Sequence, residues 1–496
     1  METRVERVRN ERQPQPDLGN GYYRNPILAG KYSDPSIVRV GEDFYITHSG
    51  GGAPGLLLWH SRDLVNWRPI GKALGTYVGD VWAPDLIYHD DLFYIYVTIA
   101  QRASDGTFSF SNVVLQAERP EGPWSEPVDL HIDGLIDPGH VADQDGRRYL
   151  YLEKGWVVPL TPDGRRTAGE LQQVYAGWRY PEEWVVECFC LESPKFTYRD
   201  GYFYLLSAQG GTAGPATSHM TVVARSTSPL GPWENSPYNP VLRTRSRDER
   251  WWSQGHGSLI DDVAGAWWIL YHAYENGQRG LGRQTMLLPV EWTADGWPRI
   301  KSGHTAADII AKPAGEDVGH GMPLSDDFTD RDLGLQWRCW DKGDPYRIYR
   351  PGDGALRIRA KGTDVTNAAR LACHPVNHAY EVRVELNRTE SAEIGLALHN
   401  DFRDEYHGVG LNDDELIIYW RSRRFSGVPC TGERVFLKLW NLNDDVVLFY
   451  SADGESWHKF GRSLEVSAGY GRLRVCLYAA GKGEGVFRDF RYHGLD

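Results

Sequence analysis

Residues 33–46 read SDPSIVRVGEDFYI, which is an Asp-Pro dipeptide, an apolar strand, a polar turn and an aromatic strand in that order. A polar turn between two such strands is typical of a β-hairpin. Four later segments repeat this order. Their starting dipeptides and aromatic strands are Ala83-Pro84 with 93–96, Asp137-Pro138 with 149–152, Ser193-Pro194 with 202–205, and His256-Gly257 with 267–271.

The spacing of these five units indicates the architecture. They start at residues 34, 83, 137, 193 and 256, so successive starts lie 49 to 63 residues apart. This period is typical of four-stranded β-propeller blades with insertions of variable length. The sequence therefore predicts a five-bladed β-propeller over residues 21–311, against the alternative of a β-sandwich with accidental internal similarity. Turns that end in Trp67, Trp124 and Trp233 are predicted to begin outer strands.

A second β domain is predicted after the propeller. Residues 312–325 read KPAGEDVGHGMPLS, a Gly- and Pro-rich stretch that predicts a linker. Several alternating or apolar runs at strand length follow, and they predict a β-sandwich over residues 326–496. These runs are 355–360, 380–386, 415–420, 435–439, 446–450 and 473–478. Residues 1–20 form a polar N-terminal segment.

The composition excludes several classes of protein. The chain has 496 residues and a formal net charge of −13, which argues against a nucleic-acid-binding protein because such a protein needs a basic face. It has no apolar run of about 18 residues, so no membrane-spanning helix or membrane partner is expected. Hydrophobic residues make up 41%, which is enough for a sizeable core. The 61 aromatic residues, with 54 Gly and 28 Pro, favour many short strands and tight turns.

The cysteines and the N-terminus predict a cellular location. The cysteines are Cys188, Cys190, Cys339, Cys373, Cys430 and Cys476. Their spacing matches neither a zinc motif nor the disulfide framework of a small secreted protein, so reduced thiols are expected. Residues 1–20 contain no apolar stretch of the kind found in a secretory signal. Both observations favour the cytoplasm.

Acidic residues recur at the starts of the repeated units. The innermost strand of each propeller blade lines the central axis, so equivalent positions in successive units converge there. Asp34, Asp137 and Glu192 occupy such positions, and Asp85 lies two residues after the second start. Burial and mutual repulsion raise the pKa of some of these carboxyls. Two carboxyls of unlike pKa across a small cleft are what glycoside hydrolysis needs. The alternative is that each Asp-Pro only begins a turn.

The motifs taken together resemble glycoside hydrolase family 43. They are Asn25-Pro26-Ile27-Leu28, Ser33-Asp34-Pro35-Ser36, Trp82-Ala83-Pro84-Asp85, Ile136-Asp137-Pro138, Glu192-Ser193-Pro194, Gly255-His256-Gly257 and Leu281-Gly282-Arg283-Gln284. The resemblance covers about residues 20–305 in blade order. From Asp326 onward the chain looks like the lectin-like, or concanavalin-like, β-sandwich that is attached to the β-xylosidases of that family.

This resemblance implies a role for each of three carboxylates. Asp34 matches the general base that activates water, and Glu192 matches the general acid that protonates the leaving group. Asp137 matches a third carboxylate, which tunes the pKa of the acid and orients the sugar. Because the family inverts configuration, the carboxyl groups of Asp34 and Glu192 are expected about 6.5–9.5 Å apart.

The resemblance also suggests substrate-binding residues. Arg283 matches an arginine beside the terminal sugar, where its planar guanidinium can donate to sugar hydroxyls and a carboxylate together. The alternative is a surface arginine. Trp82 is a candidate wall for the apolar face of the sugar, or else part of the blade packing. Asp85 is a candidate acceptor for a sugar hydroxyl. Trp252 is a candidate platform for a second sugar, with a packed strand as the alternative.

His256 is a further candidate substrate-binding residue and the one candidate metal residue. It matches a histidine near the propeller axis that faces a calcium ion through water in relatives. Such an ion would support the site rather than take part in the chemistry, and the reaction itself is expected to need no cofactor. A hydrogen-bonded core histidine is the alternative, because oxygen ligands suited to calcium are scarce around this motif.

Three departures from the family pattern bear on specificity, and one of them is the run Trp251-Trp252-Ser253-Gln254 that supplies the candidate Trp252. Residues 49–55 read SGGGAPG, where β-xylosidases of the family usually carry bulky aromatic residues. We expect this glycine-rich loop to leave a wider or more adaptable pocket wall. Lys195 follows the acid motif, where many relatives have histidine. It would lower the pKa of Glu192 if it lay close, and would matter little if it pointed outward.

The sequence predicts an exo-acting glycosidase that releases terminal β-D-xylose from xylo-oligosaccharides, with α-L-arabinofuranosidase activity in addition. The alternatives are an α-L-arabinofuranosidase as the main activity and a carbohydrate-binding propeller without catalysis. The expected partners are pentose oligosaccharides. The sequence is compatible with a homo-oligomer and sets no oligomeric state.

Overall fold

The computed structural model confirms the predicted all-β fold. It describes residues 10–103, 105–389, 392–412, 414–466 and 472–495. The helical elements in these ranges are three single turns of 3₁₀-helix at Glu153–Gly155, Arg279–Leu281 and Pro345–Arg347. Among these residues, no helix has the length and apolar character needed to cross a membrane.

Five antiparallel sheets of the first 311 residues form the propeller blades. The chain enters through β1 (Tyr22–Arg24). Blade 1 contains β2 (Ser36–Val40), β3 (Asp43–Thr47), β4 (Gly55–Ser61) and β5 (Arg68–Leu74). Blade 2 contains β6 (Asp80–His89), β7 (Leu92–Arg102), β8 (Phe108–Ala117) and β9 (Val128–Asp133). Blade 3 contains β10 (Gly139–Ala142), β11 (Arg148–Tyr151), β12 (Trp156–Pro159) and β13 (Gln172–Gln173).

The last two blades follow the same order from the inner to the outer strand. Blade 4 contains β14 (Glu192–Arg199), β15 (Tyr202–Gln209), β16 (Met220–Ser226), β17 (Glu234–Asn235) and β18 (Leu242–Arg243). Blade 5 contains β19 (Trp251–Asp261), β20 (Trp267–Glu275), β21 (Gln284–Trp292) and β22 (Pro298–Ile300), and β23 (Ile309–Ala311) then pairs with β1. The strands β5, β9 and β17 each follow one of the three Trp turns, as predicted.

The five repeat starts share one backbone conformation. The residues with positive φ there are Asp34 (55°), Ala83 (36°), Asp137 (58°), Ser193 (55°) and His256 (58°). A residue with a Cβ in this region costs about 1–2 kcal/mol, and such residues cluster at functional sites. In β6, β14 and β19 the pairing register shifts at the same point. The repeat therefore marks an irregularity that redirects side chains at the start of each inner strand.

Apolar clusters between neighbouring blades hold the propeller together. Val81, Ile95 and Leu115 of blade 2 pack against Leu56 and Leu58 of blade 1. Separate clusters join blades 2 and 3 and blades 3 and 4. The largest propeller cluster joins blades 4, 5 and 1, so the last blade is packed against the first. The ring is also closed by backbone pairing, because Leu28 bridges to Thr285 of β21.

The second domain is a sandwich of a seven-stranded and a six-stranded sheet. Its strands are β24 (Tyr349–Gly352), β25 (Ala355–Arg359), β26 (Ala369–Cys373), β27 (Ala379–Asn387), β28 (Ala392–Asn400), β29 (Glu405–Asn412), β30 (Glu415–Trp420), β31 (Arg423–Pro429), β32 (Arg434–Leu442), β33 (Asp445–Ser451), β34 (His458–Glu465), β35 (Leu473–Gly481) and β36 (Glu484–Gly494). The orders are β24-β25-β36-β27-β32-β33-β34 and β26-β35-β28-β29-β30-β31. One apolar core lies between the two sheets.

The two domains are joined along blade 1 by more than the linker. Asn10 bridges to Gly494 of the sandwich and Arg12 bridges to Pro323. Residues 1–9 of the predicted N-terminal segment lie outside the described residues. The linker runs against the propeller, where the Gly321 amide donates to the Trp67 carbonyl at 2.8 Å.

The glycine-rich loop is part of this junction, and its predicted role as a wider pocket wall stays a prediction. Ala53 forms a bridge with Cys339 of the second domain. A Cβ added at Gly52 would lie 2.9 Å from the Cys339 carbonyl and 3.1 Å from the Trp340 ring. The small residues therefore let the sandwich approach closely and bring an aromatic side chain against the loop.

The prediction of reduced thiols is wrong for one pair. Cys188 and Cys190 form a disulfide, whereas Cys339, Cys373, Cys430 and Cys476 are free. A single intervening residue lets the two Cα atoms approach to 5.4 Å, which is ordinary for a disulfide. Counting cysteines missed the bond because it joins neighbours in sequence rather than distant parts of the chain.

Candidate active site

The structure gathers the predicted carboxylates at one end of the propeller axis. Asp34, Asp137 and Glu192 lie at the starts of blades 1, 3 and 4, at or beside the redirected backbone positions. Asp34 and Asp137 are buried, and Glu192 is partly buried. The Ser193 amide donates to Asp137 Oδ2 at 3.1 Å, which links blades 3 and 4 directly beside Glu192.

Asp34 is held by three residues of blade 5 and its flanks. Arg283 donates from Nη1 to Asp34 Oδ1 at 2.7 Å, and its Nη2 lies 3.4 Å from Oδ2. His272 Nδ1 lies 3.0 Å from Oδ1, and His256 Nδ1 lies 3.5 Å from it. Burial alone would raise the pKa of Asp34, but Arg283, followed by His256 and His272, holds that pKa well below its ordinary value. The carboxyl is therefore ionised at neutral pH.

The pKa values of Glu192 and Asp137 are shifted in the opposite direction, upward. Burial raises the pKa of Glu192 well above its ordinary value, and the charges of Asp137 and Asp34 add to the shift. Burial and the charge of Asp34 also raise the pKa of Asp137, against the lowering effect of Lys195. A proton is therefore retained in the Glu192–Asp137 pair while Asp34 stays ionised, which is the division between acid and base that glycoside hydrolysis needs.

Asp85 is occupied by protein contacts rather than left open to a sugar hydroxyl. Lys195 donates to Asp85 Oδ1 at 2.7 Å, and the His140 amide donates to Oδ2 at 2.7 Å. Ser36 donates to the same Oδ1 at 3.3 Å. Lys195 therefore points inward to a buried ion pair, and its charge lowers the pKa of Asp137. We assign Asp85 a positioning role between blades 1, 2, 3 and 4.

The two candidate tryptophans are both partly buried. Trp82 packs against Phe110 and Phe108, with ring centroids 5.0 and 5.6 Å apart. Trp252 donates from its indole nitrogen to the Arg247 carbonyl at 2.9 Å. The Arg279 guanidinium covers its ring at 5.4 Å. Trp82 thus belongs to an aromatic group on blade 2, whereas Trp252 is engaged in local packing, and sugar contact at either stays a prediction.

One cluster near the axis could hold a metal ion. Asp34, His256 and His272 bring ligand atoms within 4.8 Å of one another. Direct calcium binding does not suit this set, because calcium prefers six to eight oxygen ligands and Asp34 is paired with Arg283. His256 Nε2 is buried without a hydrogen-bond partner among the described residues. That nitrogen is suited to accept a hydrogen bond from a water molecule in the hydration shell of a calcium ion.

The sequence reasoning missed residues that position the carboxylates. The Asp34 amide donates to His272 Nδ1 at 3.1 Å, and the Asp137 amide donates to Thr98 Oγ1 at 3.1 Å. Each partner belongs to the second strand of the preceding blade around the ring. The sequence contained a signal for these residues. His272 and Thr98 are each the first polar residue after the aromatic run of their strand. Both are fully buried.

Comparisons with known proteins agree with this site. The family model described as glycosyl hydrolases family 43 matches residues 23–298, which include all of the residues placed in the site. A non-reducing end α-L-arabinofuranosidase of Bacteroides ovatus is 32% identical over 420 residues, covering 78% of this chain and 76% of that protein. A xylan 1,3-β-xylosidase of a Vibrio species is 33% identical over 516 residues, covering 89% and 91%.

A solved structure matches both domains. The BlXynB protein of Bacillus licheniformis, from the same family, has a TM-score of 0.83 at 28% identity. The match covers 95% of this chain and 100% of that one. The likeness therefore extends over the propeller and the sandwich together.

Proposed function

Because the chain belongs to glycoside hydrolase family 43, we propose that it is an inverting exo-glycosidase that removes terminal β-D-xylose from xylo-oligosaccharides. The observation that carries this proposal is the opposite protonation of two carboxyls in one buried site. Asp34 is held ionised by Arg283, and Glu192 is held protonated by burial and by its acidic neighbours.

The reaction follows from these protonation states. Glu192 donates its proton to the glycosidic oxygen, so that the leaving sugar departs as a neutral alcohol. Asp34 accepts a proton from the water that attacks the anomeric carbon from the opposite side. Asp137 supplies part of the negative field that keeps Glu192 protonated. The separation of about 6.5–9.5 Å between the Asp34 and Glu192 carboxyls stays a prediction.

Exo action is supported by the position of the sandwich. Its segment around Cys339 and Trp340 lies on the glycine-rich loop of blade 1, and Tyr77 of the propeller bridges to Lys342 and Gly343. A wall on one side of the axial site favours a pocket that admits chain ends over an open groove.

A second candidate activity is removal of terminal α-L-arabinofuranose. The observation that favours it is the 32% identity to the α-L-arabinofuranosidase of Bacteroides ovatus. Xylopyranose and arabinofuranose differ in ring form and not in charge, so the same three carboxylates serve both. Hydrolysis rates for an aryl β-D-xyloside and an aryl α-L-arabinofuranoside, measured side by side, decide which activity dominates.

The test of the mechanism is a pair of substitutions. Glu192→Gln should lower kcat/KM on xylobiose about 10²–10⁴-fold, because proton donation to the leaving oxygen is lost. An aryl xyloside with an acidic phenol as leaving group should be spared, since it departs without a proton. Asp34→Asn should abolish turnover of both substrates.

The matched control is Glu182→Gln, which changes an exposed glutamate ten residues from the acid. It should behave like the unchanged protein on both substrates. Equal loss on both substrates for Glu192→Gln would contradict its role as the acid. A nuclear magnetic resonance spectrum of the first product should show α-xylose released from a β-linked substrate, and β-xylose would contradict inversion.

A supporting calcium ion, a homo-oligomer and a cytoplasmic location are further parts of the proposal. The calcium ion would be held through water by His256, as described above. The disulfide between Cys188 and Cys190 removes one of the two observations behind the cytoplasmic location, because disulfides are rare in that compartment. Assays of cell fractions from the native host test the location, and sedimentation of the purified protein tests the oligomeric state.

A further inference from the structure

Three aromatic side chains lie together at the end of blade 2 that carries the candidate active site. Trp82 of β6 contacts Phe110 and Phe108 of β8, with ring centroids 5.0 and 5.6 Å apart. The two phenylalanine rings are parallel to within 6°, and their centroids lie 6.1 Å apart. Phe108 is nevertheless 46% exposed, although burial would stabilise a ring of this size. An aromatic cluster with one open side is a feature of ligand-binding grooves.

The strand register connects this cluster to the catalytic carboxylates. Trp82 pairs with Thr98 of β7, and Thr98 pairs with Asn112 of β8. Thr98 is the residue whose hydroxyl oxygen accepts the Asp137 amide at 3.1 Å. Phe110 lies two residues before Asn112 on β8, so it shares the same face of the sheet. The cluster therefore lies on the face of blade 2 that holds the backbone of Asp137.

The cluster leads outward from the carboxylates toward the turn between β7 and β8. A strand advances about 3.4 Å per residue, so Phe110 and Phe108 lie about 7 and 14 Å along β8 from the row that holds Asp137. The Phe110 carbonyl accepts the Gly134 amide at 3.1 Å, so the segment that enters blade 3 runs beside the rings. Exposure increases in the same direction, since Trp82 and Phe110 are partly buried and Phe108 is exposed.

A polar group borders the aromatic cluster. Arg102 is exposed and pairs with Phe108 across the β7–β8 hairpin. Its guanidinium carbon lies 5.8 Å from the centroid of the Phe108 ring. Aromatic rings offer flat apolar area to the C–H face of a sugar, and a guanidinium can donate to its hydroxyls. The cluster therefore has the chemistry of a binding surface for a neutral sugar unit.

We propose that Phe108 and Phe110 form a leaving-side subsite for the third pentose unit of the oligosaccharide, counted from the end that is removed. The first unit lies at the carboxylates, and the second lies beside Trp82. This inference rests on the proposed function, because exo action places every unit beyond the first on the leaving side. It assigns the enzyme a preference for chains of three or more units over a disaccharide.

Hydrolysis of xylobiose and xylotriose tests the subsite. The unaltered protein should have a kcat/KM for xylotriose about 3–10-fold above that for xylobiose, because only the longer substrate reaches the two rings. In the protein with both Phe108→Ala and Phe110→Ala, this ratio should fall to within about twofold of one. A role in blade packing alone would lower both values together and leave the ratio unchanged.

The matched control is Tyr22→Ala. Tyr22 is also 46% exposed, but it lies on β1, which pairs with β23 outside the blades. Its ratio should equal that of the unaltered protein. Phe108→Tyr keeps an aromatic ring and should retain the preference for xylotriose. Phe108→Ala alone changes an exposed residue and should lower the ratio at least about twofold, so the test stays decisive if the double variant does not fold.

A ratio near one in the unaltered protein, or a ratio that survives both alanine substitutions, overturns the inference. Calorimetry on the Glu192→Gln protein separates this result from a failure of the proposed function. If the unaltered protein releases no xylose from xylobiose, the proposed function fails. The affinity ratio of xylotriose to xylobiose for the Glu192→Gln protein, with and without the two phenylalanines, then decides the subsite in the same way.

Discussion

The contact between Arg283 and Asp34 predicts how the enzyme depends on pH. Arg283 Nη1 lies 2.7 Å from Asp34 Oδ1, and the Asp34 side chain is 8% exposed. Burial favours the protonated carboxyl, and Arg283 is the largest of the influences that oppose burial. Arg283→Met removes the charge and keeps much of the side-chain volume, so the pKa of Asp34 should rise.

The size of the rise follows from Coulomb's law. Two unit charges about 4 Å apart attract by about 4 kcal/mol at an effective dielectric constant of 20. Without Arg283, burial raises the pKa of Asp34 against only the weaker effects of His256 and His272, so the upward shift should be large. The pKa of Glu192 should also rise, because the charge of Arg283 opposes its upward shift.

The assay is kcat/KM for an aryl xyloside across pH, which reports the acid and base of the free enzyme. The acidic limb marks protonation of Asp34, and in Arg283→Met it should move clearly upward in pH. The alkaline limb should follow in the same direction. Arg283→Lys keeps the charge, so its acidic limb should move much less than that of Arg283→Met, even where substrate binding weakens. An acidic limb in Arg283→Met within half a unit of the unaltered enzyme would refute the reasoning.

Two further predictions concern the junction and the axis. Gly52→Val should destabilise the protein by about 1–3 kcal/mol, measured by urea unfolding, because φ is 79° there and the added side chain would meet Cys339 and Trp340. Gly41→Val, at a turn with open space and similar φ, is its control, and equal losses would contradict the role of the close approach. Chelation should lower kcat/KM severalfold and added calcium should restore it, whereas His256→Phe should not respond. A calcium response that survives His256→Phe would contradict the proposed water-mediated contact.

The propeller could be predicted because its signal is repeated. Each unit begins at a residue that adopts positive φ in the structure, so the recurring dipeptides marked a real irregularity of the backbone. A single Asp-Pro would have been ambiguous, since it also begins ordinary turns. Five occurrences at blade spacing removed that ambiguity.

The sandwich was harder to predict in detail. The run predicted at 415–420 coincides with Glu415–Trp420, but the strand Ala392–Asn400 of the same sheet was missed. That strand is buried at all nine positions, so it lacks the alternation of apolar and polar residues that marks a half-exposed strand. The same structural fact explains why His399 and Asn400 lie inside the domain.

In the site, the sequence indicated which carboxylates converge but not what surrounds them. Asp85 stood at a converging position like the others, yet Lys195 and the His140 amide occupy its oxygens. The direction of the Lys195 side chain determines whether the Asp85 oxygens are open to a sugar. That direction depends on the packing between blades 2 and 4. The contact between the glycine-rich loop and Trp340 could not be predicted for a related reason, because the Trp340 ring comes from a distant part of the chain.

The closure of the ring gives the general base its position. Asp34 and Arg283 are 249 residues apart, at the two ends of the propeller sequence. The Tyr32 amide donates to the Arg283 carbonyl at 3.1 Å, and the Asp34 amide donates to His272 of blade 5. The backbone of the base is thus held by the last blade, and the same blade supplies the charge that keeps the base ionised. Opening the contact between blades 5 and 1 would therefore displace Asp34 and raise its pKa together, which ties catalytic competence to completion of the fold.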